Sequence, residues 1–215
     1  MKCAVSPAVL LATTYCGPVP WFAVLAHFDR VYLEHHESYH KQTYRNRCVI
    51  LGSNGPLTLV IPVEQGRKPG LPLRDVRIAW YERWQTNHWR AITSAYRNSP
   101  FFDHYAGEIH PFFEKRWTFL FDYNLELMAT LIELTGLDRQ VLPTAAFEEL
   151  PESFLNLREV LSPKVQASAV LPEYREVPYT QVFEDKFSFV PGLSVLDLLF
   201  NAGPGAEEIL RRSWT

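Results

Sequence analysis

Residues 8–34 read AVLLATTYCGPVPWFAVLAHFDRVYLE, and this stretch decides the fold. The run AVLLATT (8–14) is continuously apolar and closes in a turn rich in Pro and Gly, the signature of a buried first strand. Trp21 to Phe28 predicts a short helix, and Arg30 to Glu34 predicts a second strand. Strand, helix and strand within about 25 residues make a βαβ unit, so parallel pairing with a right-handed crossover is expected.

Outward from this unit, RCVIL (47–51), GSNGP (52–56) and LTLVIPV (57–63) read as a β-hairpin, with Asn54-Gly55 supplying the positive φ angles of a tight turn. Gln65 to Pro72 (QGRKPGLP) reads as a mobile loop, and residues 74–80 (RDVRIAW) alternate as a further strand. The chain then turns helical. Trp84, His88, Ala91, Ile92 and Ala95 recur at helical spacing until Asn98-Ser99-Pro100 ends the run. A helix over Asp103 to Arg116 is interrupted at Pro111, and another over Tyr123 to Thr135 has Asp122 as its N-cap and Gly136 as its stop. Residues 139–147 and 168–190 read as extended or looped. Two short helices, Leu193 to Asn201 and Ala206 to Arg212, are split by Gly203-Pro204-Gly205. The fold class is therefore α/β or α+β, with a βαβ opening, a mixed sheet with a β-hairpin and a mainly helical second half. One domain over residues 1–215 is expected.

Composition narrows the function classes. The chain has 215 residues, 47% hydrophobic and 21% charged, which excludes a disordered chain, and its 16 scattered prolines argue against a helical bundle. A pI near 6.2 argues against nucleic acid as partner. Three widely spaced cysteines, Cys3, Cys16 and Cys48, imply neither a disulfide framework nor a thiolate metal site. The amino-terminal stretch lacks the long apolar run of a secretion signal, and no stretch is long enough to span a membrane, so a cytoplasmic location is expected. The tryptophans and phenylalanines can cover a homodimer interface as readily as a core.

Charge is uneven. From Ser38 to Pro100 ten lysines and arginines stand against three acids, a net of +7; from Phe101 to Leu161 four stand against eleven, a net of −7. Grouped cations raise the local potential by several kT, so the basic stretch is expected to meet an anionic small molecule, while solvated faces remain the plain alternative. Its densest segment is KQTYRNR, where Lys41, Arg45 and Arg47 supply cations for phosphate or carboxylate. In the predicted strand Asn46 faces opposite to Arg45 and Arg47. In the helix after it, His88 and Tyr96 fall on one stripe with Ile92, and Ser94 lies beside them; a histidine so placed serves as proton acceptor near neutral pH, or else as a hydrogen-bonded core residue.

His36-Glu37-Ser38-Tyr39-His40 spells HExxH, which binds zinc when a helix puts both histidines on one face. The segment follows a strand end directly and shows no third ligand, so no metal and no cofactor are predicted, and the letters read as an exposed loop. Gly-rich phosphate loops, GxSxG and GxGxxG are absent.

Taken in order, the blocks ATTYCGPVPWFAVL, DRVYLEHHESYHKQTYRNRCVI, NGPLTLVIPV, WQTNHWRAITSAYRNSPFFDHY and YTQVFEDKFSFVPGLSVLDLLFNAGP resemble the WbqC-like family over most of the chain. The resemblance implies a bacterial cytoplasmic protein, and some members are associated with surface-polysaccharide or O-antigen gene sets. One reaction suggested for the family is acyl or aminoacyl transfer to an amino sugar. It makes Lys41, Arg45, Asn46, Arg47, His88, Ser94 and Tyr96 the site candidates. In the transferase so expected, Lys41, Arg45 and Arg47 hold the phosphates of a nucleotide sugar, Asn46 and Tyr15 orient the acceptor, and His88 with Tyr96 carries the catalysis. A non-catalytic ligand- or partner-binding protein is the second reading. The βαβ opening also resembles adenylylating nucleotidyltransferases, although GPVPW stands where their HxGH signature belongs.

Overall fold

A computed structural model describes residues 8–64, 70–145, 147 and 154–214. The opening βαβ unit is present: β1 (Ala8–Ala12) pairs in parallel with β2 (Arg30–Glu34) through α1 (Val19–His27). All five β1 residues are buried because β1 is flanked on both sides. One neighbour is β2; the other is β6 (Phe154–Asn156), while β5 (Val141–Pro143) lies outside β2. The sheet order is β5-β2-β1-β6, and every pairing is parallel. All four carboxyl ends therefore meet along one edge.

Helix α1 is apolar all round rather than amphipathic, and Val19 through Ala26 are buried. Its terminal carbonyls are taken by cations from distant segments. Arg139 donates to Leu25 O and Ala26 O, each at 3.3 Å, and Arg211 reaches Ala26 O. Positive charge there also opposes the helix dipole favourably.

The hairpin comprises β3 (Arg47–Gly52) and β4 (Gly55–Val60). It forms a sheet of its own instead of joining the parallel one, in which β5 and β6 flank β2 and β1. Its two-residue loop is Ser53-Asn54, with Gly52 opposite Gly55; the positive φ falls on Gly55 alone, at 108°. Asn54 therefore does not share the left-handed role expected of it.

Residues 74–80 differ from the expected strand. Leu73–Asp75 is a 3-10 turn, and the chain after it makes two isolated bridges, Arg77 with Phe119 and Ile78 with Val63. The alternation is real, since Val76 and Ile78 are buried, but the segment threads between two others without a ladder. The loop expected from Gln65 lies, up to residue 69, outside the described residues.

The helical half follows the sequence pattern closely: α2 (Trp84–Tyr96), α3 (Phe102–Ile109) running into a 3-10 turn at His110–Phe113 where Pro111 breaks it, and α4 (Leu120–Leu134). Phe119 rather than Asp122 is the N-cap of α4, and Asp122 sits in the first turn, where a carboxylate suits the helix dipole. Gly136 ends the helix at φ 77°. Short helices α5 (Ala167–Val170) and α6 (Glu184–Phe187) precede α7 (Val195–Ala202) and α8 (Ala206–Arg212). One apolar cluster runs from Val9 to Leu210 and joins the sheet, the hairpin and the helices. No helix among the described residues is long and apolar enough to cross a membrane.

Candidate functional site

In parallel sheets the strand ends that emit loops are where ligands bind, above all where the strand order reverses. Here that place is the edge beyond β1, β2, β5 and β6. A cleft of about 580 Å³ opens there, lined by His36, Glu37 and His40 after β2 and by Asn156, Arg158 and Glu159 at and after the end of β6.

Its floor is a set of carboxylate–guanidinium bonds. Glu34 ends β2 with 0% exposure; its Oε1 accepts from the His36 amide at 2.8 Å and from the Thr144 hydroxyl at 2.9 Å, and Oε2 takes Arg158 Nη1 at 3.2 Å. Thr144 is placed by its amide bond to Leu33 O, which continues the β5–β2 pairing. Arg45, 2% exposed, donates to Glu37 Oε1 from Nε at 2.7 Å and from Nη2 at 2.6 Å, and Nη2 also reaches Glu159 Oε1 at 2.7 Å. Burial pushes the Glu37 carboxyl above its ordinary range, against the pull of Arg45.

The two histidines after β2 form a directed chain. A guanidinium only donates, so Arg74 Nη1, 3.2 Å from His36 Nδ1, makes that nitrogen an acceptor and leaves the proton on Nε2. His36 Nε2 is 2.7 Å from His35 Nε2, which must then accept, so His35 carries its proton on Nδ1. Burial and then the neighbouring His36 lower the pKa of His35.

The HExxH letters therefore do line the cleft, but residues 35–40 are not helical and Glu37 is engaged by Arg45. Among the described residues no group of three or more His, Cys, Asp or Glu is placed to hold a metal.

The residues expected to form one site are dispersed. Tyr15 and His88 are together and interior: the hydroxyl lies 2.9 Å from His88 Nδ1, the other ring nitrogen bonds the Val60 backbone, and burial drives the His88 pKa down to about 4. Tyr96 is fully buried, accepts from the Leu51 amide at 3.0 Å and faces Asp197, with burial raising its pKa. The His88, Ile92, Tyr96 stripe thus faces the core. Asn46 is buried and donates to Ile61 O at 2.9 Å. Lys41 is exposed on its loop, Arg47 is half-buried in β3, and Ser94 is exposed in a shallow surface groove beside Arg90 and Arg97. Of the three cations expected to share a phosphate, Arg45 borders the strand-end edge, and its Nε and Nη2 are held by two carboxylates.

What the sequence reading missed is the cleft itself. Glu34, His35, Arg158, Glu159 and Thr144 carry no motif. The available signal was topological: polar residues directly after a strand of a βαβ unit sit where parallel sheets bind ligands.

The turn between β1 and α1, where a nucleotide phosphate would meet helix amides, is closed. Pro18 and Pro20 have no N–H, Val19 donates to Leu193 O at 2.9 Å and Trp21 to Pro18 O at 2.9 Å. That leaves the first turn no amide to offer an anion through Trp21.

Among proteins of known sequence, the chain is 25% identical over 219 aligned positions, covering 90% of this chain and 94% of the relative, to an uncharacterized protein, Rv1507c, of Mycobacterium tuberculosis. No solved structure matches the chain significantly. The sequence profile of the WbqC-like protein family matches residues 14–171, a span that runs from the end of β1 past the strand-end cleft to α5, and on that match the chain belongs to the WbqC-like protein family.

Proposed function

We propose that this chain is a cytoplasmic transferase of bacterial surface-polysaccharide synthesis that transfers an acyl or aminoacyl group to a nucleotide-linked amino sugar. The observation that carries the reading is the strand-end cleft, where a buried carboxyl of raised pKa, two imidazoles, an amide and the Arg158 guanidinium line one concave surface, with Arg45 bonded to two of its carboxylates from behind. Hydroxyl-rich ligands are gripped by such planar acceptors and donors, and exposed Phe147, over which Arg158 sits at 5.1 Å, offers a sugar ring an apolar face. Glu37 takes the proton released as the sugar nitrogen attacks the acyl carbon. The bond to the donor's leaving group breaks, and that proton leaves with it. Arg158 stands beside the developing oxyanion.

The observation that favours a non-catalytic ligand-binding protein is that Arg45 and Arg158 are both held by the protein's own carboxylates. One experiment separates the two. A thermal-shift panel of nucleotide sugars, nucleotides and acyl thioesters is expected to find a ligand that stabilises by about 2.7 kcal/mol at 100 times its dissociation constant. The Glu37→Gln variant is expected to keep that binding and lose turnover. Binding without turnover in the parent protein favours the second reading, and no shift from any sugar nucleotide removes the first.

A further inference from the structure

Between the ends of β1 and β6 lies a crevice with about 10 Å³ of free space, room for one oxygen-sized atom. Its lining includes Thr13, Thr14, Arg45 and Arg158, and Arg158 also lines the cleft outside. Thr13 and Thr14 are 0% and 4% exposed, and neither hydroxyl has a hydrogen-bond partner. Two adjacent orphan hydroxyls in one crevice are an unusual cost, because a buried hydroxyl without a partner destabilises the fold. Thr14 Oγ1 packs close against Gly17, where any side chain would intrude on it.

We infer that this crevice is an oxyanion subsite, in which one phosphoryl or carboxylate oxygen of a ligand seated in the cleft accepts from Thr13 and Thr14 and pairs with Arg45. Glu159 occupies part of that role in the free protein. It shares Arg45 Nη2 with Glu37, but Glu159 is 58% exposed while Glu37 is 7% exposed, so Glu159 is the carboxylate that can leave. Exchanging one carboxylate for a ligand carboxylate or a singly charged phosphoryl group leaves the charge count around Arg45 unchanged. That removes the repulsion an additional anion would meet. The exchange explains how a cleft whose cations are already paired still binds an anion. The inference stands whether or not group transfer occurs in the cleft, since its test reads binding alone.

The test titrates inorganic phosphate and pyrophosphate in one arm and acetate in the other, at matched ionic strength, following amide and arginine side-chain resonances by NMR. Both the Thr13→Val and Thr14→Val variants are expected to weaken binding about tenfold, the scale of a lost hydrogen bond to a charged group. Thr13→Ser restores it. Glu159→Gln is expected to strengthen binding about fivefold by removing the competitor. Stronger response to phosphate than to acetate identifies a phosphoryl ligand, and the reverse identifies a carboxylate. The inference is overturned if no anion perturbs Arg45, or if folded valine variants bind as the parent does, which leaves the crevice a water site.

Discussion

Two histidine clusters in this molecule stand in opposite surroundings. His88 sits under α2 with Tyr15, between Trp84 and the hairpin, dry and hydrogen-bonded at both nitrogens. His35 and His36 sit at the mouth of the parallel sheet, half-buried and chained to Arg74 on one side and Thr144 on the other. The first cluster has traded chemistry for packing: a ring whose pKa has fallen to about 4 does not take up a proton near neutral pH. The second keeps solvent access and a fixed proton direction. A histidine on a helical stripe among tryptophans is thus a core residue here, and one beside a strand end lines the cleft.

The largest expected effect breaks the strand-end region. Arg45→Met leaves the buried Glu37 carboxylate without its partner, and a loss of about 3–5 kcal/mol is expected in urea or thermal unfolding. Adding Glu37→Leu to that variant is expected to restore much of the loss, because the pair's cost is desolvation of charge. If the double variant is as unstable as the single, the ion pair is not what holds this edge.

The interior cluster is broken by acid. The folded pKa of His88 lies below its ordinary 6.5, so the folded state binds fewer protons than the unfolded state between pH 6.5 and about 4. Its contribution is fully present above 6.5 and is lost as pH falls through that window, reaching up to about 3 kcal/mol. A His88→Gln variant is expected to flatten the stability profile between those limits, measured by chemical denaturation at half-unit steps. Tyr15→Phe comes next, at about 1–2 kcal/mol, because it leaves His88 Nδ1 buried without a donor.

These two regions also differ in how far the sequence discloses them. The β1–α1–β2 unit, the hairpin and the α2 stripe were legible because long apolar runs and helical periods are written locally. Strands β5 and β6 were not, since each has three residues and exists by pairing with β2 or β1. The same limit hid the site. The +7 and −7 windows suggested free cations awaiting an anion, yet Arg45 of the first window is bonded to Glu159 of the second, 114 residues away. Window charge counts what the chain carries, and folding decides which charges meet. The HExxH letters show the converse: no helix carries them, while their position after β2 placed them at the cleft.

The smallest expected effect sharpens the contrast most. Arg74 is exposed, so Arg74→Gln is expected to change stability by no more than about 0.5 kcal/mol. Its consequence lies in the proton positions. In the parent protein Arg74 forces His36 to accept at Nδ1, which fixes the Nε2–H tautomer of His36 and, through the 2.7 Å contact, the Nδ1–H tautomer of His35. A glutamine amide can offer either an oxygen or an N–H, so the direction of the chain is no longer imposed. Ring nitrogen shifts measured by NMR are expected to show single tautomers in the parent and mixed populations in the variant. The titration midpoint of His35 is expected to rise, because a neighbouring cation that lowers it has gone. The tautomers and stability of buried His88 are expected to stay as they were, since its partners are Tyr15 and the Val60 backbone. If His35 keeps one tautomer after Arg74 is removed, the chain takes its direction from Thr144 O, 3.3 Å from His36 Nε2, and Arg74 is a bystander.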